Sequence, residues 1–455
     1  MHSRMVHIGK EGHQMSQPYS IHGEHINAVD RARLNEILLD KVEEWSNVSI
    51  YFGHKVLNID FESGSMEFLQ GSDQERVTRF ADLIIGADGA NSKVRTLINR
   101  NIRMNYQQEY IDTLYCELSM PPQFDNNNKP RFALDPNHLH IWPRHTFMLI
   151  ALPNPDKSFT CTLFMPADMF DDINTETKLM NFFKEEFNDA IPLIGEKRLQ
   201  SDYFANPRGS LISIKTSPHN LNDKSLIIGD AAHAMVPFYG QGMNCGFQDV
   251  QVLHEILDKR HIRPVLSNDG THIPGLNEAL NAYSKERVKD AHAICDLAMY
   301  NHYEMRSAVT SMRYLARKKL EGWIHYVLPK AITPLYSMVS FSTLPYSQAI
   351  QRWHKQTFWL NVTLGAVAFT TTSVTAWMIW RATSSSKQSL PSISSSSSTL
   401  TNSAKDATNA SINAVKAIGN LGVTAGNAIG INRSTVDPIY QQTKSAFQYV
   451  FQSWK

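Results

Sequence analysis

Residues 225–259, SLIIGDAAHAMVPFYGQGMNCGFQDVQVLHEILDK, leave a chain few ways to fold. Leu226-Ile227-Ile228 is a short, wholly apolar run, the pattern of a strand buried on both faces. It ends in Gly229-Asp230, which sets a carboxylate at the carboxyl end of a strand, where open α/β sheets bind ligands. Pro237 interrupts the chain, and Gly240, Gly242 and Gly246 allow backbone to approach a flat ligand closely. From about Met243 a helix is expected, with Phe247, Val250, Val252, Leu253 and Ile256 on its buried face. Its N-terminus would point at whatever fills the glycine loop and favour negative charge there.

A second unit of the same kind lies upstream at ADLIIGADGANSKVRTLI, residues 81–98. Leu83-Ile84-Ile85 reads as a buried strand, Gly86, Asp88 and Gly89 as a tight turn, and Ser92 to Ile98 as a helix. Such a unit offers backbone N–H groups to an anion, although a plain strand–turn–helix connection has the same composition. Between the two units, LHIWPRHTFMLIALP and KSFTCTLFMP alternate with period two, as antiparallel strands do. The fold expected is α/β: a doubly wound, Rossmann-like domain, an antiparallel-sheet substrate domain and a C-terminal transmembrane helix.

Composition narrows the function classes. The chain has 455 residues and a formal net charge of +1, so no excess of positive charge supports nucleic-acid binding. Hydrophobic residues make up 42%, enough for a core over most of the length. Cys116, Cys161, Cys245 and Cys295 are scattered without CxxC spacing, which excludes a zinc ribbon and a disulfide-stapled scaffold; no metal site is expected. The opening MHSRMVHIGKEGHQ has no apolar core of a secretory signal.

Phe358 to Trp380, FWLNVTLGAVAFTTTSVTAWMIW, carries no charge. As a helix it would extend roughly 34 Å, about the thickness of a bilayer's hydrocarbon core. Trp359 and the pair Trp377/Trp380 stand at its ends, and Arg352, Lys355 and Arg381 flank it. A buried core helix is the alternative. Upstream, 312–353 mixes basic residues, aromatics and prolines; Pro329 and Pro334 should divide it into short helices. Its cluster Arg313, Arg317, Lys318, Lys319 is either a solvated face or a surface on anionic headgroups. The serine-dominated segment after the span should not pack. The expected domains are 1–101 and 216–300 for the two parts of the doubly wound domain, 102–215 for the substrate sheet, 301–357 for a helical substrate and membrane-proximal region, 358–380 for the span and 381–455 for a disordered tail.

GADGANSKVR and LIIGDAAHAMVPFYGQGMNCGFQD, 142 residues apart from Asp88 to Asp230, resemble the DG and GD motifs of FAD-dependent aromatic hydroxylases. NHLHIWPRHTFMLIALPNPDKSFTCTLFMP, FNDAIPLIGEKRL, DLAMYNHYEMR and the apolar C-terminal segment narrow the resemblance to the kynurenine 3-monooxygenase family. It runs from Met1 to about Trp380. It implies hydroxylation of L-kynurenine to 3-hydroxykynurenine with FAD, NADPH and dioxygen, in NAD biosynthesis from tryptophan. It also implies placement on the mitochondrial outer membrane with the catalytic body facing the cytoplasm. Flavin hydroperoxide chemistry needs no catalytic side chain, since the cofactor carries the hard step. By resemblance Arg31, Val56, Asp88, Asp230, Met243 and Asn244 contact FAD, and Arg4, Tyr19, Asn301 and Tyr336 hold the substrate. Pro237 and Phe238 would wall the ring, with Phe164 opposite. His233 is assigned no chemistry; backbone is expected to satisfy it.

The resemblance makes the doubly wound domain a Rossmann-like FAD-binding domain lacking its first βαβ unit, since the hydroxylase class opens with a strand, a GxGxxG turn and a helix. Neither GQGMNCG nor GNLGVTAGNAIG supplies that unit here. The expectation is therefore an N-terminally truncated chain. It is read either as part of a working monooxygenase or as a flavin-free, membrane-anchored remnant; a third reading keeps the chemistry and changes the aromatic substrate.

Overall fold

A computed structural model of the chain describes residues 1–385 apart from 10–11, 72–74, 269, 271, 308, 310 and 329–331. The expectation for 381–455 falls, from 386 onward, outside the described residues.

The largest element is a seven-stranded sheet. Its spatial order is Gly209–Ser217, Asn105–Met120, Phe159–Met165, Phe147–Pro153, His138–Arg144, Ser3–Ile8, His13–Pro18. All its pairs are antiparallel except one: Ser3–Ile8 runs parallel to His138–Arg144, with Arg4 opposite Leu139. The opening strand, grouped in sequence with residues up to 101, thus hydrogen-bonds into the sheet formed by 105–217. Period-two patterning sorts the sheet's two faces. Trp142, Leu149 and Leu163 pack against helices Ala167–Asp172, Glu176–Glu186 and Glu196–Ala205 in one core. Their neighbours Ile141, Met148 and Phe164 face the other way, towards the long helix Leu276–Arg306 and the turn Pro237–Tyr239.

A second, smaller sheet carries the two motif units. Ser225–Ile227 lies between Asn220–Leu221 and Ile84–Gly86, antiparallel to the first and parallel to the second. Ile227 packs on helix Lys93–Asn101 through Val94, Leu97 and Ile98. Leu226 faces the opposite core, with Leu253, Leu276, Leu280 and Tyr283. Helices on both faces of a parallel pair are the expected doubly wound arrangement. Ser92 caps the helix after the first strand by accepting from Arg95 N at 2.9 Å.

The expected helix after the glycine loop runs Gly242–Lys259, but its faces differ from expectation. Phe247 and Val250 are exposed, while Cys245, Asp249 and Leu253 are buried. The cause is electrostatic: Asp249 turns inward to meet Arg287 and His233. Downstream lie helices Met312–Val327 and Leu335–Ser340, then Tyr346–Ser385, which contains the whole uncharged run. The last helix is long and apolar enough to cross a membrane. The chain divides into two compact units, Met1–Leu364 and Gly365–Lys455.

Candidate functional site

The parallel pairing of Ile84–Gly86 with Ser225–Ile227 brings the two motif turns side by side: Ile228 N donates to Gly86 O at 3.0 Å. Asp88 and Asp230 therefore stand at the carboxyl ends of adjacent strands. Asp88 accepts from Lys93 N at 2.7 Å and Val94 N at 3.1 Å, so its carboxylate braces the N-terminus of its own helix. Arg95 ties this unit to the other: it donates to Ala231 O at 2.7 Å and to Ala90 O at 2.6 Å, and is buried.

Gly229 has φ +57°, and a Cβ there would meet nothing within 4 Å, so the open turn requires glycine for backbone reasons alone. Asp230 follows it and is exposed, yet the surrounding protein raises its carboxyl above the ordinary aspartate value. Helix Gly242–Lys259 begins beside this turn: a Cβ on Gly246 would lie 3.9 Å from Gly229 Cα. Met243 and Asn244 are exposed in its first turn, and no side chain caps it. Free first-turn N–H groups next to a glycine turn and a carboxylate form a cradle for a polar, electron-rich ligand.

A buried ionic cluster holds the turn in shape. Asp249 Oδ2 accepts from Gly229 N at 2.8 Å and lies 2.6 Å from His233 Nε2. Asp249 Oδ1 takes Arg287 Nη2 at 2.7 Å and Nε at 2.9 Å. Burial disfavours a charged His233, but the Asp249 carboxylate and Cys245 outweigh it and push the imidazole up to about 10. Ligand atoms of His233, Cys245 and Asp249 come within 4.8 Å of one another, and the cation bound there is the Arg287 guanidinium. The partner of His233 is thus a carboxylate, not the backbone expected from sequence.

The second group of expected residues meets across the large sheet. Arg4 is buried, with Nη1 2.9 Å from Glu304 Oε1. Its guanidinium carbon lies 5.5 Å from the Tyr19 ring and 5.1 Å from the Tyr336 ring. Tyr19 stacks on Tyr336 at 5.1 Å, and Tyr336 on Tyr239 at 5.6 Å. Burial opposes the charge on Arg4, but Glu304 raises its pKa above the ordinary guanidinium value. Among the described residues, Arg4 Nε and the Tyr19 hydroxyl are buried without a hydrogen-bond partner, which is costly unless a ligand oxygen meets them. Lys318 lies close by and bonds Gln17 Oε1 at 3.4 Å; desolvation and Arg4 lower its ammonium to about 8.

Asn301 is buried and gives its amide to Phe238 O at 2.7 Å, so it fixes the segment that joins the two groups. Phe238 sits 4.9 Å from the Phe164 ring and stacks on His302 at 4.1 Å. Val56, half-buried in strand His54–Asp60, packs on the core that contains Ala231 and Ala232. Arg31 is exposed at the start of helix Arg31–Glu43, none of whose residues is buried. Sequence reading missed Glu304, Tyr239, Asp249, Arg287 and Arg95. Only Glu304 left a signal, since it stands one helical turn from Asn301.

A model of the FAD binding domain matches residues 2–298. The kynurenine 3-monooxygenase of Yarrowia lipolytica is 45% identical over 365 residues, 78% of this chain and 75% of that protein. The chain belongs to the kynurenine 3-monooxygenase family. The Sus scrofa member is 42% identical over 364 residues, 80% of this chain and 73% of its own length. Among solved structures, Klebsiella pneumoniae HpxO complexed with FAD and uric acid shares the fold at a TM-score of 0.50 and 18% identity, over 70% of this chain and 76% of that one. FAD is the family's cofactor, and the residues at the two motif turns fit it: an open glycine turn, an exposed aspartate and an uncapped helix N-terminus.

Proposed function

We propose that this chain hydroxylates L-kynurenine to 3-hydroxykynurenine, consuming NADPH, a proton and dioxygen and releasing NADP⁺ and water. The observation that carries this is the cluster of Arg4, Glu304, Tyr19 and Tyr336. An amino-acid substrate brings a carboxylate and an ammonium on one carbon, and the pair of buried Arg4 and half-buried Glu304 presents one charge of each sign 2.9 Å apart. Arg4 Nε and the Tyr19 hydroxyl offer the donors a carboxylate needs. The stacked tyrosines and Phe238 supply flat apolar surface for an aromatic ring.

Asp230 would hold the ribityl hydroxyls of FAD, Asp88 would stand near the pyrophosphate, and the N–H groups at Met243 and Asn244 would favour negative charge on the ring. Arg31 and Val56 would contact the adenosine side. When bound, FAD supplies the redox step, taking reducing equivalents from NADPH and passing one oxygen atom of dioxygen to the substrate. The protein's part is to bind, orient and dry the site. Asn301 keeps Phe238 in place, and Phe164 and Phe238 exclude water from between the two groups. In the same reading, residues 358–380 anchor the chain in the mitochondrial outer membrane, and the preceding basic residues favour a cytoplasmic body.

Purified chain with added FAD should show a flavin spectrum, and L-kynurenine should stimulate its NADPH oxidation with matching 3-hydroxykynurenine. A protein that stays colourless with added FAD would defeat the reading. Equal stimulation by another aromatic acid without ring hydroxylation of kynurenine would transfer it to a different substrate.

A further inference from the structure

Helix Met312–Val327 is amphipathic the wrong way round for a helix facing water. Among its residues with described side chains, the exposed ones are Met312, Ala316, Lys319, Trp323, Tyr326 and Val327. Spacings of four, three, four and three place them in one stripe. Trp323 and Tyr326 are 66% and 74% accessible, and Leu328 continues the patch. Arg317, Lys318 and His325 engage other parts of the protein instead. Arg317 bonds Glu321 at 2.7 Å and Thr357 at 2.9 Å, Lys318 reaches Gln17, and His325 bonds Ile332 O at 2.7 Å. The helix therefore lies along the first turns of Tyr346–Ser385, where Phe358 and Trp359 are also exposed and the uncharged run begins. Water does not favour a contiguous stripe of this kind, and its composition is that of the lipid interface: a Trp, a Tyr, aliphatic residues and one lysine.

We propose that helix Met312–Val327 is a second membrane contact, its outward stripe embedded in the headgroup boundary of the bilayer that the uncharged run crosses. The proposal rests on the reading of 358–380 as a span. Continuity with that run selects lipid over a protein partner, since the stripe and the entry of the run belong to one compact unit.

The four native cysteines are buried, so single exposed cysteines can be labelled in the full chain. An environment-sensitive fluorophore at Tyr326→Cys, Val374→Cys or Asn126→Cys would be read in phosphatidylcholine vesicles containing phosphatidylserine. The label at 326 should shift to the blue and lose more than half its emission to a lipid spin-labelled near the headgroup, and little to aqueous iodide. The label at 374 should respond to a deep spin label and the label at 126 to iodide alone. A 326 label quenched by iodide, with 374 still quenched by lipid, overturns the proposal and leaves the span standing. Both labels quenched by iodide overturn proposal and span together. A 326 label shielded from iodide and lipid alike overturns the proposal in favour of a protein partner.

Discussion

Arg4 is the side chain whose chemistry is hardest to replace. A lysine would keep the charge beside Glu304 but lose the planar fork that meets a carboxylate at two points. A charge-assisted hydrogen bond is worth about 1.5–3 kcal/mol. Arg4→Lys should therefore lower kcat/KM for L-kynurenine about ten- to a hundred-fold, at about 1.4 kcal/mol per tenfold. Flavin absorbance should be unchanged, because Arg4 does not touch the motif turns; a parallel loss of flavin would refute that separation. Asp249 governs the other half. Its carboxylate raises His233 from 6.5 to about 10, so the folded protein holds a proton between those values that the unfolded chain gives up. That stabilisation is complete below pH 6.5 and fades as pH rises towards 10. Melting temperature should fall across this window. Asp249→Asn should flatten that slope and, by leaving Arg287 buried without its partner, cost about 3–5 kcal/mol. An unaltered slope in thermal melts from pH 6 to 10 would show that His233 is not the group responsible.

At the scale of elements, the strand–turn–helix units were legible because each is local. A three-residue apolar run, a glycine turn and a capping serine suffice to place Ile84–Gly86 and Lys93–Asn101. Gly86 has a further reason to be glycine: a Cβ there would lie 2.7 Å from Val94 Cβ and 3.1 Å from Ile227 Cγ2. Gly86→Ala should push the helix off the strand, cost about 1–3 kcal/mol, and weaken flavin retention with it. Normal melting and normal flavin content in that variant would mean the helix yields without strain. What sequence could not show was pairing at long range. Ser3–Ile8 finds its parallel partner about 135 residues away, and no local pattern announces that register. Asp249 reads in sequence as a polar residue on a helix; only the packing of Leu276–Arg306 beside it reveals Arg287 as its counter-charge. Phe247 and Val250 were misplaced for the same reason, since apolar periodicity cannot register a buried ion cluster that rotates the helix.

At the scale of the whole molecule, the helix Tyr346–Ser385 poses the remaining question, because none of the described residues in its most apolar window is buried. Val367, Phe369, Val374 and Trp377 are all exposed on it, on several sides of the helix axis. A water-soluble core helix would hide at least one face, and exposure on several sides agrees with the proposed span. Its threonines fit the same account: Thr371, Thr372 and Thr375 return their hydroxyls to backbone carbonyls of the preceding turn at 2.8–3.0 Å, so these three donors are satisfied within the helix. The full chain should therefore stay with membranes through alkaline carbonate washing. Replacing Val367 and Val374 together by arginine should release much of it, since each charge near the centre of a span costs about 2.5–3.5 kcal/mol on insertion. The substitutions lie outside the compact unit Met1–Leu364, so kynurenine-stimulated NADPH oxidation should survive in the released protein. Retention of the double variant in the washed membrane would transfer the anchoring role to the stripe on Met312–Val327.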